Sequence, residues 1–518
     1  MKTTLAWGIK TATAPMVRRF EGALADPATA QSTIRNRIFD QASKTTYGRH
    51  YKLSDRSDFR NRLPIADYDG IRSWVDQQRA NERQDLCSEK VLFYEKTSGS
   101  TGPAKYIPYT KSLRWSFTRM FLLWTHDLVR GIPGLGQGRF YFSVSPKLGA
   151  AETTDQGKPI GLDDDAEYLG PMKWLMKPFF IDTRAAAAKR DAEEFKFEAC
   201  KALVAADDLE AISVWNPSFL TVLLDVLSTR REELAAFSGN RRDAFAHNEI
   251  DFMKLWPQLK LISCWADANA APLASALAER FPAVILQGKG LLATEAPMTI
   301  PRIGVQGGVP LIEDVYFEFE MADGSVRELH ELKEGDRAKI LISQLGGLLR
   351  YRMGDEVEVV SRLQKTPTLK FIGRGNRFSD LVGEKLSEEF VRDTLDARLP
   401  SSIRYRQLIP IRSPQPAYVL LVDHATEPQS LIQEVESSLR KAHHYNHARA
   451  LGQLGAITLL VQPHCEAPLA DFYRREGFRW GDVKPGYLLP RVADSQLIAD
   501  LKHSASVFHP DSRHPCPE

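Results

Sequence analysis

The alternation of apolar and polar positions divides the chain into regions with different secondary-structure periods. Residues 1–90 are mostly of helical period, for example over 30–46, with polar connectors. Short apolar runs in the middle of the chain predict strands at 139–145, 209–215, 259–265 and 283–287. Segments of helical period beside them predict helices at 112–130, 186–205, 218–234 and 271–280. Strands separated by helices indicate a parallel sheet with crossover helices, and therefore an α/β fold.

After Pro301 the pattern changes to an alternation of apolar and polar residues. The alternating segments are 314–320, 338–343 and 356–360. Because Gly and acidic residues separate them, we expect antiparallel strands in a distorted, β-barrel-like part of the large domain.

A second change occurs near residues 374–380, where a segment rich in Gly and Arg interrupts the alternation. Beyond it, the periods predict helices at 387–398 and 427–448 and strands at 417–423 and 456–462. These elements are typical of a small α+β domain. The sequence therefore predicts a large domain with parallel and mixed sheets over residues 1–375 and a small domain over residues 376–518.

Composition narrows the possible functions. The 518 residues include 68 Lys and Arg against 66 Asp and Glu, and this near-balance argues against a polybasic nucleic-acid-binding protein. No apolar run reaches the roughly 18 residues of a membrane-spanning helix, and residues 1–10 lack the apolar core of a secretory signal. Five scattered cysteines without a C-x-x-C pair favour a reducing compartment. We therefore expect a cytoplasmic protein whose partners are neither nucleic acid nor membrane.

The stretch Thr97-Ser-Gly-Ser-Thr-Gly-Pro-Ala-Lys105 carries the strongest chemical signal in the chain. From Thr97 to Gly102 each residue has a hydroxyl group or is a glycine. Glycines let successive N–H groups point into one concavity that suits phosphate oxygens, and Lys105 adds a mobile positive charge. The spacing differs from that of a Walker loop and of a dinucleotide fingerprint. A flexible surface connector is the alternative to a phosphate loop.

Two carboxylates follow strand-like segments and are candidates for nucleotide chemistry. Glu295 comes after the strand predicted at 283–287 and a turn that contains glycine, and its carboxylate is a hard oxygen ligand suited to Mg²⁺. Asp355 lies between two strand patterns, and its two acceptor oxygens can bind both ribose hydroxyls. The alternatives are a carboxylate at a helix N-terminus for Glu295 and a plain β-turn residue for Asp355.

Several segments, taken in chain order, resemble one protein family. The stretch Thr97–Lys105 resembles the phosphate loop of the adenylate-forming superfamily, which contains acyl-CoA synthetases, adenylation domains and luciferases. The segments that narrow the resemblance are Leu63–Asp69, Val214–Leu220, Ser263–Asp267, Lys289–Glu295 and Tyr445–Gly455. Together they resemble the bacterial side of the Gretchen Hagen family of acyl-acid amido synthetases, whose plant members conjugate auxin or jasmonate to amino acids.

The resemblance implies a site for ATP and Mg²⁺. The implied catalytic residues are Lys484 and Lys105, and the implied metal ligand is Glu295. The implied ATP-binding residues are Thr97, Ser98, Gly99, Ser100, Thr101, Gly102, Lys105, Trp265, Asp267, Ala293, Thr294, Glu295, Asp355 and Arg374. Arg374 lies in a segment that resembles the superfamily's hinge, about which a mobile small domain turns. A solvated surface lysine is the alternative for Lys484.

An acyl pocket is expected close to the phosphate loop. Trp115, Phe121 and Trp124 recur at helical spacing after the loop, and Trp215 ends a predicted strand; core packing is the alternative for these residues. The resemblance implies an ATP-dependent ligase that adenylates a small carboxylic acid, releases pyrophosphate and transfers the acyl group to the amine of an amino acid. An acyl-CoA ligase and a non-catalytic nucleotide-binding relative are the alternatives.

Overall fold

The computed structural model describes most of the chain. Outside the described residues lie positions 1, 82, 190, 216, 380, 385, 490 and 504 and the segments 98–104, 144–151, 162–176, 375–377, 382–383, 451–453, 477–485 and 511–518. The chain forms two compact units. The first contains residues within 1–97, 104–267 and 274–372, and the second contains residues within 268–273 and 373–518.

The described residues form α-helices, short 3₁₀-helices and β-strands. The α-helices are α1 (Lys2–Leu24), α2 (Pro27–Ala42), α3 (Thr46–His50), α4 (Asp58–Arg62), α5 (Tyr68–Asn81), α6 (Lys111–Gly131), α7 (Arg184–Ala187), α8 (Ala192–Ala205), α9 (Pro217–Thr229), α10 (Arg231–Ala235), α11 (Phe252–Leu255), α12 (Ala271–Arg280), α13 (Glu388–Arg398), α14 (Pro428–Leu439), α15 (His443–Ala450), α16 (Glu466–Arg475) and α17 (Ser495–Lys502). Short 3₁₀-helices lie at Lys177–Phe179, Gly239–Phe245, Ala268–Ala270 and Leu329–Glu331. The strands are β1 (Val91–Thr97), β2 (Lys105–Thr110), β3 (Arg139–Phe142), β4 (Glu152–Thr153), β5 (Pro159–Ile160), β6 (Leu209–Ser213), β7 (Leu261–Ser263), β8 (Ile285–Gln287), β9 (Leu292–Ala293), β10 (Ala296–Pro297), β11 (Thr299–Pro301), β12 (Gly308–Pro310), β13 (Val315–Met321), β14 (Val326–Glu328), β15 (Arg337–Gln344), β16 (Tyr351–Leu363), β17 (Thr366–Arg374), β18 (Phe378–Ser379), β19 (Leu386–Ser387), β20 (Arg406–Ile411), β21 (Ala417–Val422), β22 (Thr458–Val461) and β23 (Ser506–Phe508).

The predicted parallel sheet is present, with the strand order β3-β6-β7-β8. All five residues of β6 are buried, as expected for a central strand that is covered on both faces. The register places Phe142 opposite Ser213 and Ser213 opposite Ser263, so the carboxyl ends of three strands form one row. Ligands of α/β proteins bind at this edge of the sheet.

Two of the helices predicted beside this sheet are interrupted. The segment predicted at 186–205 forms α7 and α8, and α8 begins after Asp191. The Asp191 carboxylate accepts hydrogen bonds from the N–H groups of Glu193 and Glu194, both at 2.9 Å. This cap stabilises a helix start inside the predicted segment. The segment predicted at 218–234 likewise divides into α9 and α10.

The region after Pro301 forms a seven-stranded sheet in the order β11-β12-β17-β16-β15-β13-β14. Within the described residues its two end strands do not pair with each other, so the expected barrel-like part is an open sheet and not a closed barrel. Helix α2 packs on this sheet through Gln31, whose buried amide donates to the carbonyl groups of Ile312 and Val315 at 3.0 and 2.8 Å. The Gln31 oxygen accepts from Phe317 N–H at 2.8 Å, which satisfies the buried side chain fully.

The stretch with the phosphate-loop signal connects two antiparallel strands. β1 and β2 pair in a sheet of order β2-β1-β5-β4, and Thr97 at the end of β1 lies opposite Lys105 at the start of β2. Helix α6 follows β2 directly. The Thr110 hydroxyl accepts a hydrogen bond from Leu113 N–H at 3.2 Å, and this cap begins the helix.

The second unit contains a sheet of order β20-β21-β22-β23. The helix predicted at 427–448 is two helices, α14 and α15, so the prediction was wrong about its continuity. Arg440, Tyr445 and Arg449 contact the buried Glu436 carboxylate at 3.0, 2.8 and 2.7 Å. A straight helix would carry Tyr445 and Arg449 about 14 and 20 Å past Glu436 along its axis, whereas the turn brings both to one carboxylate.

Two further features of the described residues concern the apolar character of the helices and the state of the cysteines. None of the described helices combines the length and the apolar character that crossing a membrane requires. Cys87, Cys200, Cys264 and Cys465 are buried free thiols. Burial raises the pKa of Cys87, Cys200 and Cys264 to about 12, so these thiols stay protonated and pack as small apolar side chains.

Candidate functional site

A cavity of about 450 Å³ lies between α6 and one face of the parallel sheet. Its floor has two rows of residues, because side chains two positions apart on a strand lie on the same face. The inner row is Phe140, Ala211 and Leu261, and the row at the carboxyl ends is Phe142, Ser213 and Ser263. The other lining residues are Met120, Phe121, Trp124, Thr125, Leu128, Ser143, Lys177, Phe180, Ile181, Asp182, Thr183, Arg184, Val214, Trp215, Lys289, Leu292, Thr299, Ile300 and Pro301.

Three of the four residues predicted for an acyl pocket line this cavity. They are Phe121, Trp124 and Trp215. The indole N–H of Trp124 donates to Gln287 Oε1 at 2.8 Å, which holds the ring in place. The prediction that Trp115 lines the pocket is wrong, since Trp115 is 55% exposed and is not among the residues that line the cavity. Nine steps of about 100° separate Trp115 from Trp124, so the two rings project from opposite faces of α6.

Lys289 brings an ammonium group to the carboxyl-end row of the cavity floor. Its Nζ donates to Ser213 Oγ at 2.7 Å and to Ser263 Oγ at 3.4 Å. The same atom lies 5.1 Å from the ring centre of Trp215 and 5.8 Å from that of Trp124. Hydroxyl acceptors and aromatic faces both stabilise a charged amine. The cavity is therefore apolar along its inner row and positively charged at the carboxyl ends of the strands.

The candidate metal ligand lies in a hairpin turn beside this cavity. β9 and β10 pair so that Thr294 and Glu295 form the turn, and Leu292 at the start of β9 lines the cavity. Two buried side chains hold the turn by its backbone. Tyr109 O–H donates to the carbonyl of Thr294 at 2.6 Å, and the Gln344 amide donates to the carbonyl of Glu295 at 3.1 Å. Tyr109 lies on β2, so the strand that begins with the predicted phosphate-binding lysine also fixes this turn.

The Glu295 carboxylate fits the expected metal ligand. Glu295 is 9% exposed, and its Oε2 accepts a hydrogen bond from the Thr294 hydroxyl at 3.0 Å. In the part of the chain that the structure describes, no basic side chain forms an ion pair with it. The same described residues contain no cluster of three or more acidic, His or Cys side chains that could hold a metal. This arrangement suits Mg²⁺, which typically takes one or two carboxylates together with substrate phosphates.

Asp355 is buried inside a long strand and does not lie at a turn between two strands. It belongs to the 13-residue strand β16 and is 1% exposed. The register between β15 and β16 shifts between Lys339 and Leu341, so β16 bulges at this point. Gly354 adopts a φ of 78° in the bulge, a conformation that favours glycine. Asp355 therefore lies beside a β-bulge and not in a β-turn. A bulge changes the direction of a side chain without ending the strand.

Trp265 and Asp267 follow β7 at the carboxyl edge of the parallel sheet. Trp265 N–H donates to the carbonyl of Trp215 at 2.8 Å, and the two ring centres are 6.0 Å apart. Burial raises the pKa of Asp267, and the nearby Lys370 and the Phe371 N–H oppose this shift. Trp265 therefore lies next to Trp215 of the cavity, and the contact of Trp265 and Asp267 with adenine stays a prediction.

The other predicted nucleotide residues lie at or beyond the ends of described segments. Lys105 begins β2, with its Nζ 5.8 Å from the ring centre of Tyr68. Thr97 and Arg374 end β1 and β17, and their side chains are outside the described residues. Residues 98–102 and Lys484 are also outside them, so the roles expected of these residues stay predictions.

Sequence reasoning assigned no role to Tyr109, Gln344 or Lys289. Tyr109 and Gln344 each lie close to a glycine-rich segment of the sequence, and this proximity could have marked them as candidate site residues. Lys289 stands between two glycines directly after β8, which also marks a special position. No local sequence pattern predicts where the Lys289 side chain points, because its two hydroxyl partners are 76 and 26 positions away in the chain.

We expect Tyr109→Phe to lower the free energy of unfolding by about 1 kcal/mol, because the half-buried carbonyl of Thr294 loses its donor. Tyr141→Phe is the matched control. Tyr141 is also fully buried, but its hydroxyl has no hydrogen-bond partner among the described residues. Urea denaturation followed by tryptophan fluorescence measures both variants. Equal losses in the two variants would contradict the role assigned to the Tyr109 hydroxyl.

Comparison with known proteins identifies the family. Residues 16–236 match the GH3 family N-terminal domain, and residues 308–374 match the GH3 family central domain, together more than half of the chain. The chain belongs to the GH3 family. This result confirms the resemblance to the Gretchen Hagen family that the sequence segments indicated.

Curated GH3 relatives match over most of their length. The chain is 20% identical over 431 residues to the 4-substituted benzoates-glutamate ligase GH3.12 of Arabidopsis thaliana, covering 71% of this chain and 73% of the relative. It is 22% identical over 438 residues to the probable indole-3-acetic acid-amido synthetase GH3.11 of Oryza sativa subsp. japonica, covering 71% and 72%. The solved structure of the AtGH3.15 acyl acid amido synthetase in complex with 2,4-DB superimposes with a TM-score of 0.81 at 17% identity, covering 98% of both chains. This GH3 protein therefore has the GH3 fold.

Proposed function

We propose that this GH3 protein is an ATP-dependent ligase that joins a small carboxylic acid to the amine of an amino acid through an acyl-AMP intermediate. The observation that carries the proposal is the aromatic cavity whose wall continues through Leu292 into the turn of Thr294 and Glu295. In this proposal the hairpin of β9 and β10 contributes to both the acid site and the nucleotide site. The names of the GH3 relatives, a benzoates-glutamate ligase and an amido synthetase, describe the same kind of reaction.

In the first half-reaction, an oxygen of the substrate carboxylate attacks the α-phosphorus of ATP. A new P–O bond forms while the bond from the α-phosphorus to pyrophosphate breaks, which yields acyl-AMP and pyrophosphate. In this proposal Thr97–Gly102 and Lys105 orient the β- and γ-phosphates, and Asp355 accepts the ribose hydroxyls. The adenine site comprises Trp265, Asp267, Ala293 and Thr294. Positioning and electrostatic stabilisation supply most of the rate enhancement in such phosphoryl chemistry.

Glu295 is the residue proposed to hold Mg²⁺, together with the phosphates of ATP. When bound, the metal neutralises phosphate charge and helps to position the reacting groups. Lys484 of the small domain is proposed to approach the acyl phosphate and to stabilise the charge that develops there. The burial of Glu295 without a described cationic partner supports the first of these two roles.

In the second half-reaction, the amine nitrogen attacks the acyl carbon and the C–O bond to AMP breaks, giving an amide and AMP. An incoming ammonium group must first lose a proton, since only the neutral amine is a nucleophile. We propose that the small domain over residues 376–518 rotates between the two half-reactions about the segment that contains Arg374. A cytoplasmic location stays part of the proposal.

ATP–pyrophosphate exchange tests the adenylation half-reaction. Purified protein is assayed with ATP, Mg²⁺ and a panel of small carboxylic acids, and exchange with at least one acid is expected. Failure of all acids in a broad panel would refute the ligase. Mass spectrometry of a carboxylate-by-amine panel then identifies the product. An amide supports the proposal, and a CoA thioester formed in preference to any amide would replace it with an acyl-CoA ligase.

Lys105→Ala is expected to reduce the exchange rate by about 10²-fold, because the variant lacks the mobile charge beside the phosphates. Lys90→Ala is the control, since Lys90 is an exposed lysine one position before β1 of the same hairpin. The exchange rate of the control should stay within about twofold of wild type. A Lys105→Ala enzyme with the wild-type rate would remove this lysine from the proposed site.

A further inference from the structure

The cavity changes in polarity along the strands that form its floor. Phe140, Ala211 and Leu261 make the inner row apolar. Two residues further along two of the same strands, Ser213 and Ser263 bring hydroxyl groups to the row at the carboxyl ends. A molecule with an apolar body and one polar end therefore has a single favoured direction in the cavity, with its polar end toward the carboxyl ends of the strands.

Lys289 gives that polar end a positive charge. Its Nζ is within hydrogen-bond distance of Ser213 Oγ at 2.7 Å, and two indole rings flank it. These hydroxyl and aromatic contacts position the amine beside a mostly apolar surface. The other charged residues of the lining are Lys177, Asp182 and Arg184, and Arg184 forms an ion pair with Asp182. A carboxylate held there would form a charge-assisted hydrogen bond in surroundings that screen charge much less than water does.

The same end of the cavity lies next to residues proposed to bind ATP. Trp215 contacts both the Lys289 amine, at 5.1 Å, and the ring of Trp265, at 6.0 Å between centres. Leu292 lines the cavity two positions before the turn of Thr294 and Glu295. An acid with its carboxylate at Lys289 thus presents that group toward the residues proposed for ATP, and its apolar body points toward the inner row.

We propose that Lys289 is the residue that recognises the carboxylate of the substrate acid, with the apolar body of the acid against the inner row of the cavity. This proposal rests on the proposed function. Six aromatic side chains supply the apolar walls: Phe121, Trp124, Phe140, Phe142, Phe180 and Trp215. Lys289 would then act mainly in binding the acid, before the chemical step, and would have little effect on the affinity for ATP.

The test compares Lys289→Met with wild type, because methionine is also an unbranched side chain but carries no charge. The probe is 3-phenylpropanoate, and 3-phenylpropanamide is its neutral counterpart. Binding to the protein without ATP is followed by calorimetry and by tryptophan fluorescence, to which Trp124 and Trp215 in the cavity contribute. We expect the Kd of the acid to rise about 10²-fold in Lys289→Met, while the Kd of the amide changes less than threefold. In exchange assays the KM for the acid should rise similarly, with the KM for ATP within twofold of wild type.

Two further variants keep the test decisive. Lys289→Arg retains the charge and should recover most of the preference for the acid over the amide. Lys254→Met makes the same substitution at an exposed lysine of α11 and should leave both Kd values unchanged. If Lys289→Met does not fold, the loss of preference is measured instead in Lys289→Gln, which keeps a hydrogen-bond donor.

The outcomes separate this proposal from the proposed function. Exchange activity with an acid whose KM is unchanged in folded Lys289→Met would overturn the role of Lys289 and leave the ligase intact. Binding of 3-phenylpropanoate that depends on Lys289, without exchange for any acid, would support the carboxylate site and refute the ligase. Failure of wild type to bind 3-phenylpropanoate, benzoate and octanoate at millimolar concentration would overturn the assignment of the cavity to the substrate acid.

Discussion

Glu295→Ala should lower the rate of ATP–pyrophosphate exchange by about 10²–10³-fold, the range found when a group that stabilises developing charge is removed. Glu295 is buried in a turn that Tyr109 and Gln344 hold by its backbone, so its carboxylate has a defined position. The truncation removes the proposed metal ligand and leaves these two backbone hydrogen bonds in place. The loss should therefore appear in activity, with little loss of stability.

Glu295→Gln and metal titration make this prediction specific. The glutamine keeps the shape of the side chain and the hydrogen bond from the Thr294 hydroxyl, but it is a poor ligand for Mg²⁺. Chelation with EDTA should abolish exchange in wild type, and added Mg²⁺ should restore it. In Glu295→Gln, half-maximal exchange should require at least about tenfold more Mg²⁺. The exposed Glu334→Gln is the control. Wild-type exchange in Glu295→Ala would refute the metal role.

Arg350→Met should destabilise the first unit by about 2–4 kcal/mol, because the buried Glu318 carboxylate loses its bidentate partner and keeps only the ion pair with Arg60 at 3.1 Å. Arg350 donates to both Glu318 oxygens at 2.9 and 3.0 Å, and the two side chains are 9% and 1% exposed. It also donates to the carbonyl groups of Arg60 and Leu63 at 2.9 and 2.8 Å. Arg350 thus ties the segment before Leu63–Asp69 to the strand that carries Asp355.

Arg352→Met provides a matched control two positions further along the chain. Arg352 pairs with Glu320 through two hydrogen bonds of 3.1 and 2.8 Å, but these side chains are 31% and 24% exposed. Water screens this pair, so its loss should cost no more than about 1 kcal/mol. Urea denaturation of both variants measures the difference. A loss in Arg350→Met no larger than that in Arg352→Met would show that burial adds nothing to the Arg350 pair.

The regular elements of this GH3 protein were largely predictable because each is encoded over a few neighbouring residues. The apolar runs at β3, β6, β7 and β8 predicted parallel strands, and the alternating segments after Pro301 predicted β13 and β15. The helix over 427–448 was predicted as continuous because a helical period carries no information on distant partners. Its break depends on Glu436, which gathers Tyr445 and Arg449 from the next helix.

The candidate site was predictable in its chemistry and less so in its geometry. Phe121, Trp124 and Trp215 line one cavity, and its role as an acyl pocket stays a prediction, whereas Trp115 projects to solvent from the opposite face of α6. Helical spacing specifies which residues share a face, but only packing against the sheet determines which face is inward. Asp355 similarly lies in a bulge of one long strand, and the shift in register that creates it involves the neighbouring strand.

Hydroxyl groups, glycines and a lysine between Thr97 and Lys105 predict a phosphate loop, and the resemblance of several short segments in chain order indicated the family. Those signals lie within single short segments, where residue type and spacing determine what a backbone can bind. The meeting of Lys289 with Ser213 and Ser263 required the folded sheet. Parallel pairing of β6 and β7 brings residues that are 76 and 26 positions from Lys289 into hydrogen-bond distance of one amine, and no local pattern encodes such a contact.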